Sequence, residues 1–176
     1  MNPFLRLLNE LETPVCRRWS RAHHQRPWLL RPFALISRLG NGVFWYSLMA
    51  ILPIVDGIDG LEAALHMLLT SGVALLLYKS LKGRTRRIRP CHYATDIAAS
   101  VPPLDRYSFP SGHTLHAVNF STIALFYYPQ LAWLLVPFTL LVAASRVVLG
   151  LHYPTDVIIA SAIGLGLAYS SLLLAA

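Results

Sequence analysis

The chain has 176 residues, of which 55% are hydrophobic and only 13% are charged, and its formal net charge is +7. Soluble domains carry charges on roughly a quarter of their residues, so this composition excludes an ordinary soluble protein and favours a membrane protein. A basic chain can also bind nucleic acid, but here the basic runs lie between hydrophobic stretches. Anionic lipid or phosphate is therefore the expected partner, and nucleic acid is not.

The first 30 residues are predicted to form an amphipathic, basic segment that does not span the membrane. A helix over residues 1–11 would place Arg6, Asn9 and Glu10 on one side. Its other side would be apolar, with Phe4, Leu5, Leu7, Leu8 and Leu11. This pattern is typical of a helix that lies in the membrane interface. A frayed terminus packed on neighbouring loops is the alternative, and no cleaved signal peptide is expected.

Five hydrophobic stretches follow, near residues 33–55, 61–79, 113–128, 131–150 and 155–176. Because a helix needs about 20 mostly apolar residues to cross a bilayer, each stretch is predicted to be a transmembrane helix. The expected fold class is an all-α integral-membrane helical bundle with about five transmembrane helices and the N-terminal interfacial helix, in a single domain over residues 1–176. A soluble bundle with a very apolar core is the alternative, but adjacent uncharged runs of this length would make it insoluble.

The first polar motif follows the second predicted span. Lys82 and Arg89 are seven residues apart, which is close to two turns of a continuing helix, so both side chains would share one face. Two cations directed at one point fit a bound phosphate, because the arginine supplies a two-pronged hydrogen-bond donor. The alternative is topological, since basic residues commonly flank transmembrane spans.

The second motif is Pro110-Ser111-Gly112-His113, just before the third predicted span. Gly112 allows the backbone to approach a ligand closely, and Ser111 offers a hydroxyl and an amide. His113 begins a helix, where the amide groups favour an anion, and a histidine there can donate a proton to a leaving oxygen. A structural helix cap is the alternative, and the neighbouring His116 is interpreted as structural.

The third motif is Ser145-Arg146, followed by His152 and Asp156. Arg146 ends an apolar span, where an ionisable residue is a functional candidate by default. His152 and Asp156 are four residues apart, so a helical turn would place the carboxylate beside the imidazole. A histidine oriented by an aspartate has a fixed tautomer and a more nucleophilic free nitrogen. A structural histidine–aspartate pair is the alternative.

Together the three motifs resemble the signature of the type 2 phosphatidic acid phosphatase family, KxxxxxxRP, PSGH and SRxxxxxHxxxD. The chain matches it without a substitution, at residues 82–90, 110–113 and 145–156. The resemblance implies a helical membrane core with the motifs converging on one pocket. Vanadium-dependent haloperoxidases share this fold, but they are soluble and larger, and the predicted spans argue against that reading.

The resemblance also implies roles for the motif residues. His152 would attack phosphorus to form a phosphohistidine, Asp156 would orient it, and His113 would protonate the departing lipid oxygen and then activate water. The phosphate oxygens would be held by Lys82, Arg89, Ser111, Gly112 and Arg146. No metal and no other cofactor is expected, because three cations can stabilise the charge and the sequence shows no carboxylate cluster suited to magnesium or zinc.

The sequence therefore predicts a metal-independent hydrolase, a lipid phosphatase acting on a phosphomonoester or diphosphate. Phosphatidic acid, phosphatidylglycerophosphate, a polyprenyl diphosphate such as undecaprenyl diphosphate, and lipid A phosphate all fit. A diphosphate would make use of the additional Arg84, Arg86 and Arg87. The alternative is a lipid-phosphate binding or transport protein without catalysis, although such a protein would not need both His113 and His152.

The expected location is the bacterial cytoplasmic membrane, which the chain would cross several times. Five spans place the N-terminus and the 79–112 loop on one face, and seven Lys/Arg residues lie in 1–38 and seven more in 79–106. The opposite turn has Asp56, Asp59 and Glu62 and no basic residue. The positive-inside rule then predicts an active site that faces the cytoplasm. Bacterial members of the family are usually described with six spans and an outward-facing site, so this chain is expected to depart from them.

Overall fold

The computed structural model describes residues 3–25, 28 and 30–175, and within them it contains helices and no strand. The α-helices are, in chain order, α1 (Pro3–Gln25), α2 (Leu30–Arg38), α3 (Phe44–Thr85), α4 (Pro90–Tyr93), α5 (Gly112–Tyr127), α6 (Ala132–Val148) and α7 (Pro154–Ala175). The all-α prediction is confirmed. Arg26 of the predicted basic segment and Ala176 of the last predicted span lie outside the described residues.

Three helical stretches of the described chain are long and apolar enough to cross a membrane, judged by length and composition. They are Leu30–Thr85, Pro129–Val148 and Pro154–Ala175. The first of them contains both the first and the second predicted span. The third predicted span corresponds to α5, whose 16 residues are fewer than the roughly 20 that cross a bilayer. The number of five spans stays a prediction.

Helix α3 reverses its direction at Asp56 and Gly57, where the backbone angles are not helical. Gly57 has a φ of +56°, a left-handed conformation that glycine adopts without steric penalty. Just beyond this turn, a Cβ on Gly60 would lie 2.1 Å from the carbonyl oxygen of Leu52. Only a residue without a side chain permits this approach of the two arms, which lie on either side of the predicted 56–62 turn.

The first predicted span is interrupted. Helix α2 ends at Arg38, and Asn41 and Gly42 have non-helical backbone angles, with a φ of +118° at Gly42. Glycine weakens a helix because it gains more freedom on unfolding than other residues, and two glycines flank Asn41. The segment 33–55 is therefore not one continuous helix.

Helix α5 lies at the centre of the bundle, packed against α3, α6 and α7. Its side chains at Leu115, Ala117 and Ile123 are fully buried. Helix α7 lies very close to α5, because a Cβ on Gly164 would be 2.7 Å from the carbonyl oxygen of Leu115. The start of α5, which carries the second motif, lies against the start of α7, which carries Asp156, since the main-chain N–H of Ser111 donates to the main-chain carbonyl of Asp156.

Helix α1 exposes an apolar stripe and buries a polar face. The exposed stripe recurs every three or four residues and consists of Phe4, Leu7, Leu11, Val15 and Trp19. The opposite face contributes buried polar side chains at Asn9, Thr13 and Ser20. This is the reverse of a helix on a soluble protein, and it fits the predicted interfacial helix, whose apolar face meets lipid. The helix continues well beyond residue 11 and ends at Gln25.

Candidate active site

The three sequence motifs meet at one end of the helical core. Lys82 lies in the last turn of α3, and Arg146 lies in the last turn of α6. Arg89 immediately precedes α4, and Ser111 immediately precedes α5. His152 lies in the short connection between α6 and α7. Residues distant in the sequence thus come together because the five helices α3 to α7 begin or end at the same place.

His152 is buried, and its Nε2 atom lies 3.1 Å from Nη1 of Arg89. A guanidinium group has no acceptor atom, so Nε2 must accept this hydrogen bond and the ring proton must sit on Nδ1. The Nδ1 atom faces Asp156, 3.6 Å from its Oδ2. That separation is longer than a hydrogen bond, and catalytic hydrogen bonds are often long in the free enzyme and shorten when substrate binds.

The surroundings of His152 keep its ring neutral. Burial lowers the pKa of His152, and the positive charges of Arg89, Arg146 and Lys82 lower it further, so that it lies well below the ordinary value for histidine. The unprotonated Nε2 therefore faces the cations at physiological pH. A neutral imidazole with a free lone pair is the form that can attack phosphorus.

Asp156 lies in the first turn of α7 and is fully buried. Its Oδ2 accepts a hydrogen bond from the main-chain N–H of Tyr153 at 2.9 Å, and its Oδ1 accepts one from Nη1 of Arg87 at 2.7 Å. Both oxygens are thus fixed, with Oδ2 on the side of His152. The structure brings the predicted histidine and aspartate together across the start of a helix.

Lys82 and Arg89 are held by a carboxylate that the sequence pattern does not identify. Asp105 accepts hydrogen bonds from Nζ of Lys82 at 2.5 Å and from Nη2 of Arg89 at 2.7 Å. The hydroxyl of Tyr78 donates to the same carboxylate at 2.7 Å. Burial raises the pKa of Asp105, but the hydrogen bonds from Lys82 and Tyr78 outweigh it, and the pKa lies well below its usual value. The ionised Asp105 therefore keeps both cations directed at one point.

The backbone between Lys82 and Arg89 differs from the predicted continuing helix. Helix α3 ends at Thr85, and Arg86 has a left-handed backbone with a φ of +48°. The prediction that Lys82 and Arg89 share the face of one continuing helix is wrong, because the chain turns at Arg86 and returns. Of the groups around Asp105, only Tyr78 could have been placed beside Lys82 from the sequence, because it lies one turn earlier on the same helix.

Arg146 and His113 line one cavity of about 170 Å³. Arg146 is only 3% exposed, and its Nη1 donates to the hydroxyl of Ser37. Its Nε has no hydrogen-bond partner among the described residues. A buried donor without a partner is destabilising, so an anion in this cavity would complete the hydrogen bonding of the guanidinium.

The start of α5 contributes main-chain donors to the same region. The hydroxyl of Ser111 lies 2.9 Å from that of Thr114. The main-chain N–H of Ser111 donates to the main-chain carbonyl of Asp156 at 3.2 Å. The serine amide is therefore occupied, and the amides of Gly112 and His113 are the first-turn donors that suit an anion. A Cβ on Gly112 would lie 2.8 Å from the ring of Tyr78, so the close packing here depends on glycine.

A second cavity, of about 260 Å³, also reaches His113. Its walls include Trp45, Leu75, Tyr78, His116 and Phe120. His116, which the sequence predicts to be structural, stacks on Phe120 with 5.7 Å between ring centroids and faces this space as well. The two cavities adjoin at His113, which lines both.

Arg87 is not available to a second phosphate group. Its side chain is completely buried and donates hydrogen bonds to Asn9, Glu12, Thr155 and Asp156. The prediction that it would contact a diphosphate is therefore wrong, because partners inside the protein occupy it. Arg84 and Arg86 are exposed.

Within residues 3–25, 28 and 30–175, no group of three or more His, Cys, Asp or Glu side chains is placed to hold a metal ion. The positive charges around His152 are instead those of arginine and lysine side chains. Metal independence itself stays a prediction.

Similar proteins are phosphatases. Phosphatidylglycerophosphatase B of Bacillus subtilis is 33% identical over 166 residues, which cover 80% of this chain and 72% of that protein. A decaprenylphosphoryl-5-phosphoribose phosphatase of Mycobacterium tuberculosis is 31% identical over 145 residues, or 79% of this chain and 76% of the relative. An undecaprenyl-diphosphatase of Sulfolobus acidocaldarius is 27% identical over 124 residues, and the match spans 70% of this chain but 59% of the relative.

Two solved structures share the fold. A transmembrane PAP2 type phosphatidylglycerolphosphate phosphatase from Bacillus subtilis superposes with a TM-score of 0.70 and 27% identity, over 97% of this chain and 93% of the other. Aquifex aeolicus LpxE superposes with a TM-score of 0.78 and 25% identity, over 92% of this chain and 94% of that chain. With its apolar helices and these likenesses, the chain is an integral membrane protein. A profile of the PAP2 superfamily matches residues 63–175, and the chain belongs to this family.

Proposed function

We propose that this protein is a membrane phosphatase that removes phosphate from a lipid phosphomonoester or diphosphate, with His152 as the nucleophile. The orientation of His152 carries the proposal, since its unprotonated Nε2 lies beside Arg89 while Nδ1 faces Asp156. Membership of the PAP2 superfamily and the phosphatase activity named for its relatives support the same reaction.

In the first half of the reaction, Nε2 of His152 forms a bond to phosphorus while the bond from phosphorus to the lipid oxygen breaks. Lys82, Arg89 and Arg146 hold the nonbridging oxygens and stabilise their charge in the transition state. Asp156 stabilises the positive charge that develops on the imidazole. His113 donates a proton to the departing lipid oxygen.

In the second half, His113 takes a proton from a water molecule, whose oxygen attacks phosphorus. The bond between phosphorus and Nε2 of His152 breaks, and inorganic phosphate leaves. His152 returns to its neutral form, and His113 is again protonated for the next cycle. One histidine thus acts first as acid and then as base.

The lipid part of the substrate is proposed to occupy the 260 Å³ cavity beside His113. Two polar atoms in its walls, Nε1 of Trp45 and Nδ1 of His116, are buried and have no hydrogen-bond partner among the described residues. Such atoms are suited to hydrogen bonds with a leaving group that has oxygen atoms close to the reacting phosphate. A glycerophospholipid and a polyprenyl diphosphate both have this chemistry, and names of both kinds occur among the relatives.

A lipid-phosphate binding or transport protein is not favoured. Binding alone requires Lys82, Arg89 and Arg146, but it does not require an unprotonated histidine oriented by a buried carboxylate. A panel of phosphatidic acid, phosphatidylglycerophosphate and undecaprenyl diphosphate, assayed at one enzyme concentration, identifies the substrate by the relative kcat/KM.

We expect phosphate release from the best of these lipids to continue at the full rate in excess EDTA. The charge that a metal ion would supply comes instead from Lys82, Arg89 and Arg146. Vanadate should inhibit the enzyme, because it mimics the five-coordinate transition state. The measurement is released phosphate in detergent solution, with and without chelator. An absolute requirement for added magnesium would show the mechanism to be wrong.

The site is further proposed to face the cytoplasm of a bacterial cell. Helix α1 lies at the same end of the molecule as the site, since its Glu12 contacts Arg87. The exposed Arg18 and Arg21 of this helix have no role in the proposed chemistry. The turn at the other end carries the exposed Asp56, Asp59 and Glu62. This charge asymmetry supports a cytoplasmic site under the positive-inside rule.

Cysteine labelling in intact cells tests the orientation. In a background without Cys16 and Cys91, we expect Asp59→Cys to react with a membrane-impermeant thiol reagent added from outside. Ala99→Cys, at an exposed position on the site's side, should be protected until the cells are opened. The reverse pattern would place the active site on the outer face and leave the proposed chemistry untouched.

A further inference from the structure

A buried arginine outside the phosphate-binding cations connects α1 to the catalytic pair. Arg87 has no solvent exposure, and its Nη1 donates to Oδ1 of Asp156 at 2.7 Å. Its Nη2 donates to Oε2 of Glu12 at 2.6 Å. Its planar group also stacks on the ring of Tyr153, 4.1 Å from the ring centroid. A guanidinium bonded on two sides to carboxylates has a fixed orientation.

Helix α1 is attached to this cluster at further points. Nε of Arg87 donates to the side-chain oxygen of Asn9 at 2.8 Å. Glu12 accepts hydrogen bonds from both the main-chain N–H and the hydroxyl of Thr155, each at 2.7 Å. The thiol of Cys16 lies 3.9 Å from the carbonyl oxygen of His152. One face of α1 therefore contacts the first turn of α7 and the segment that carries the nucleophile.

The charges of this cluster matter for the reaction. Arg87 and Asp156 alone would form a neutral pair. Glu12 shares the same guanidinium, so one positive and two negative charges leave a net charge of −1. Asp156 can then act as an anion toward His152 when the imidazole becomes positive during attack. Without Glu12, the positive charge of Arg87 would offset the negative charge of Asp156.

We propose that Arg87 and Glu12 are positioning residues for the reaction, which makes α1 part of the catalytic apparatus. Arg87 fixes the rotamer of Asp156, and Glu12 balances the charge of Arg87. Neither touches the substrate, and both act through Asp156 on His152. The inference rests on the proposed function, because it assumes that His152 is the nucleophile.

The test is Glu12→Gln, which removes the charge and keeps the shape. We expect kcat on a soluble aryl phosphate to fall by about 10- to 100-fold, as for other groups that orient a functional imidazole through a second residue. KM should stay within about twofold, because Lys82, Arg89 and Arg146 are untouched. Glu12→Asp should recover part of the loss, since it restores the charge.

Two comparisons separate positioning from a structural role. Glu10→Gln, the same change on the outward side of α1, where Glu10 is half exposed and pairs with Arg6, should leave kcat unchanged. In an Asp156→Asn background, Glu12→Gln should lower kcat by less than about twofold further, because the effects of residues that act through a common partner are not additive. The inference would be overturned if Glu12→Gln lowered kcat by the same factor in both backgrounds, or if it did not lower kcat at all.

Arg87→Lys provides a second route if Glu12→Gln unfolds in detergent, as judged by its thermal transition. Lysine keeps the charge but cannot bridge two carboxylates in a plane, so the same kcat-specific and non-additive loss is expected. An unchanged kcat in Arg87→Lys would also overturn the inference. Failure of the proposed function is distinguishable, because only then would His152→Ala remain active.

Discussion

His152→Ala is expected to lower the turnover of a lipid phosphate by at least about 10³-fold, because the imidazole is the proposed nucleophile that bonds to phosphorus. The variant should remain folded, since within the part of the chain that the structure describes the ring accepts one hydrogen bond from a side chain, that of Arg89. Phosphate release measures the loss, and size-exclusion chromatography with thermal unfolding in detergent measures the fold. His92→Ala is the matched control, because His92 is exposed on α4. Activity above a tenth of wild type in His152→Ala would exclude this nucleophile.

The partner of His152 should matter less. Asp156→Asn is expected to lower kcat by about 10²- to 10⁴-fold, because the ring loses the anion that stabilises its positive form. It should also lower the thermal transition, since it breaks a fully buried ion pair with Arg87. Glu12 still pairs with Arg87 in this variant, which limits the destabilisation.

His113→Ala should produce the second large effect, a loss of about 10²- to 10⁴-fold on lipid substrates. The defect is expected to be much smaller for phosphorylation by an aryl phosphate, whose leaving group departs without protonation. Because His113 is also proposed to activate the water, this variant should release one equivalent of aryl alcohol in a burst and then stall as the phosphohistidine. Rapid-mixing measurements of aryl alcohol release detect the burst.

An equal defect on the lipid and on the aryl substrate, without a burst, would contradict this role of His113. It would assign the side chain to binding the phosphate, which is the function its place at the start of α5 would otherwise support. Wild-type enzyme under the same conditions provides the reference, since its intermediate is hydrolysed in each cycle.

The proposed catalytic pair illustrates how much local sequence can predict. His152 and Asp156 are four residues apart, and Pro154 begins the helix between them, so one helical turn brings the two side chains together. The membrane character follows from hydropathy, because long apolar runs have no other stable environment. The prediction for Lys82 and Arg89 shows the limit of this approach. The two cations meet as expected, but across a left-handed turn at Arg86.

The amino-acid sequence alone therefore determined the membrane class, the helical fold and the family, because hydropathy and motif spacing are properties of neighbouring residues. Only the tertiary structure decided the partners of those motifs. Asp105 reaches Lys82 from an irregular segment, and Glu12 reaches Arg87 across 75 positions of the chain. Such pairings depend on how α1, α3 and α7 pack, and no periodicity in the sequence encodes the distance between two helices that are remote along the chain.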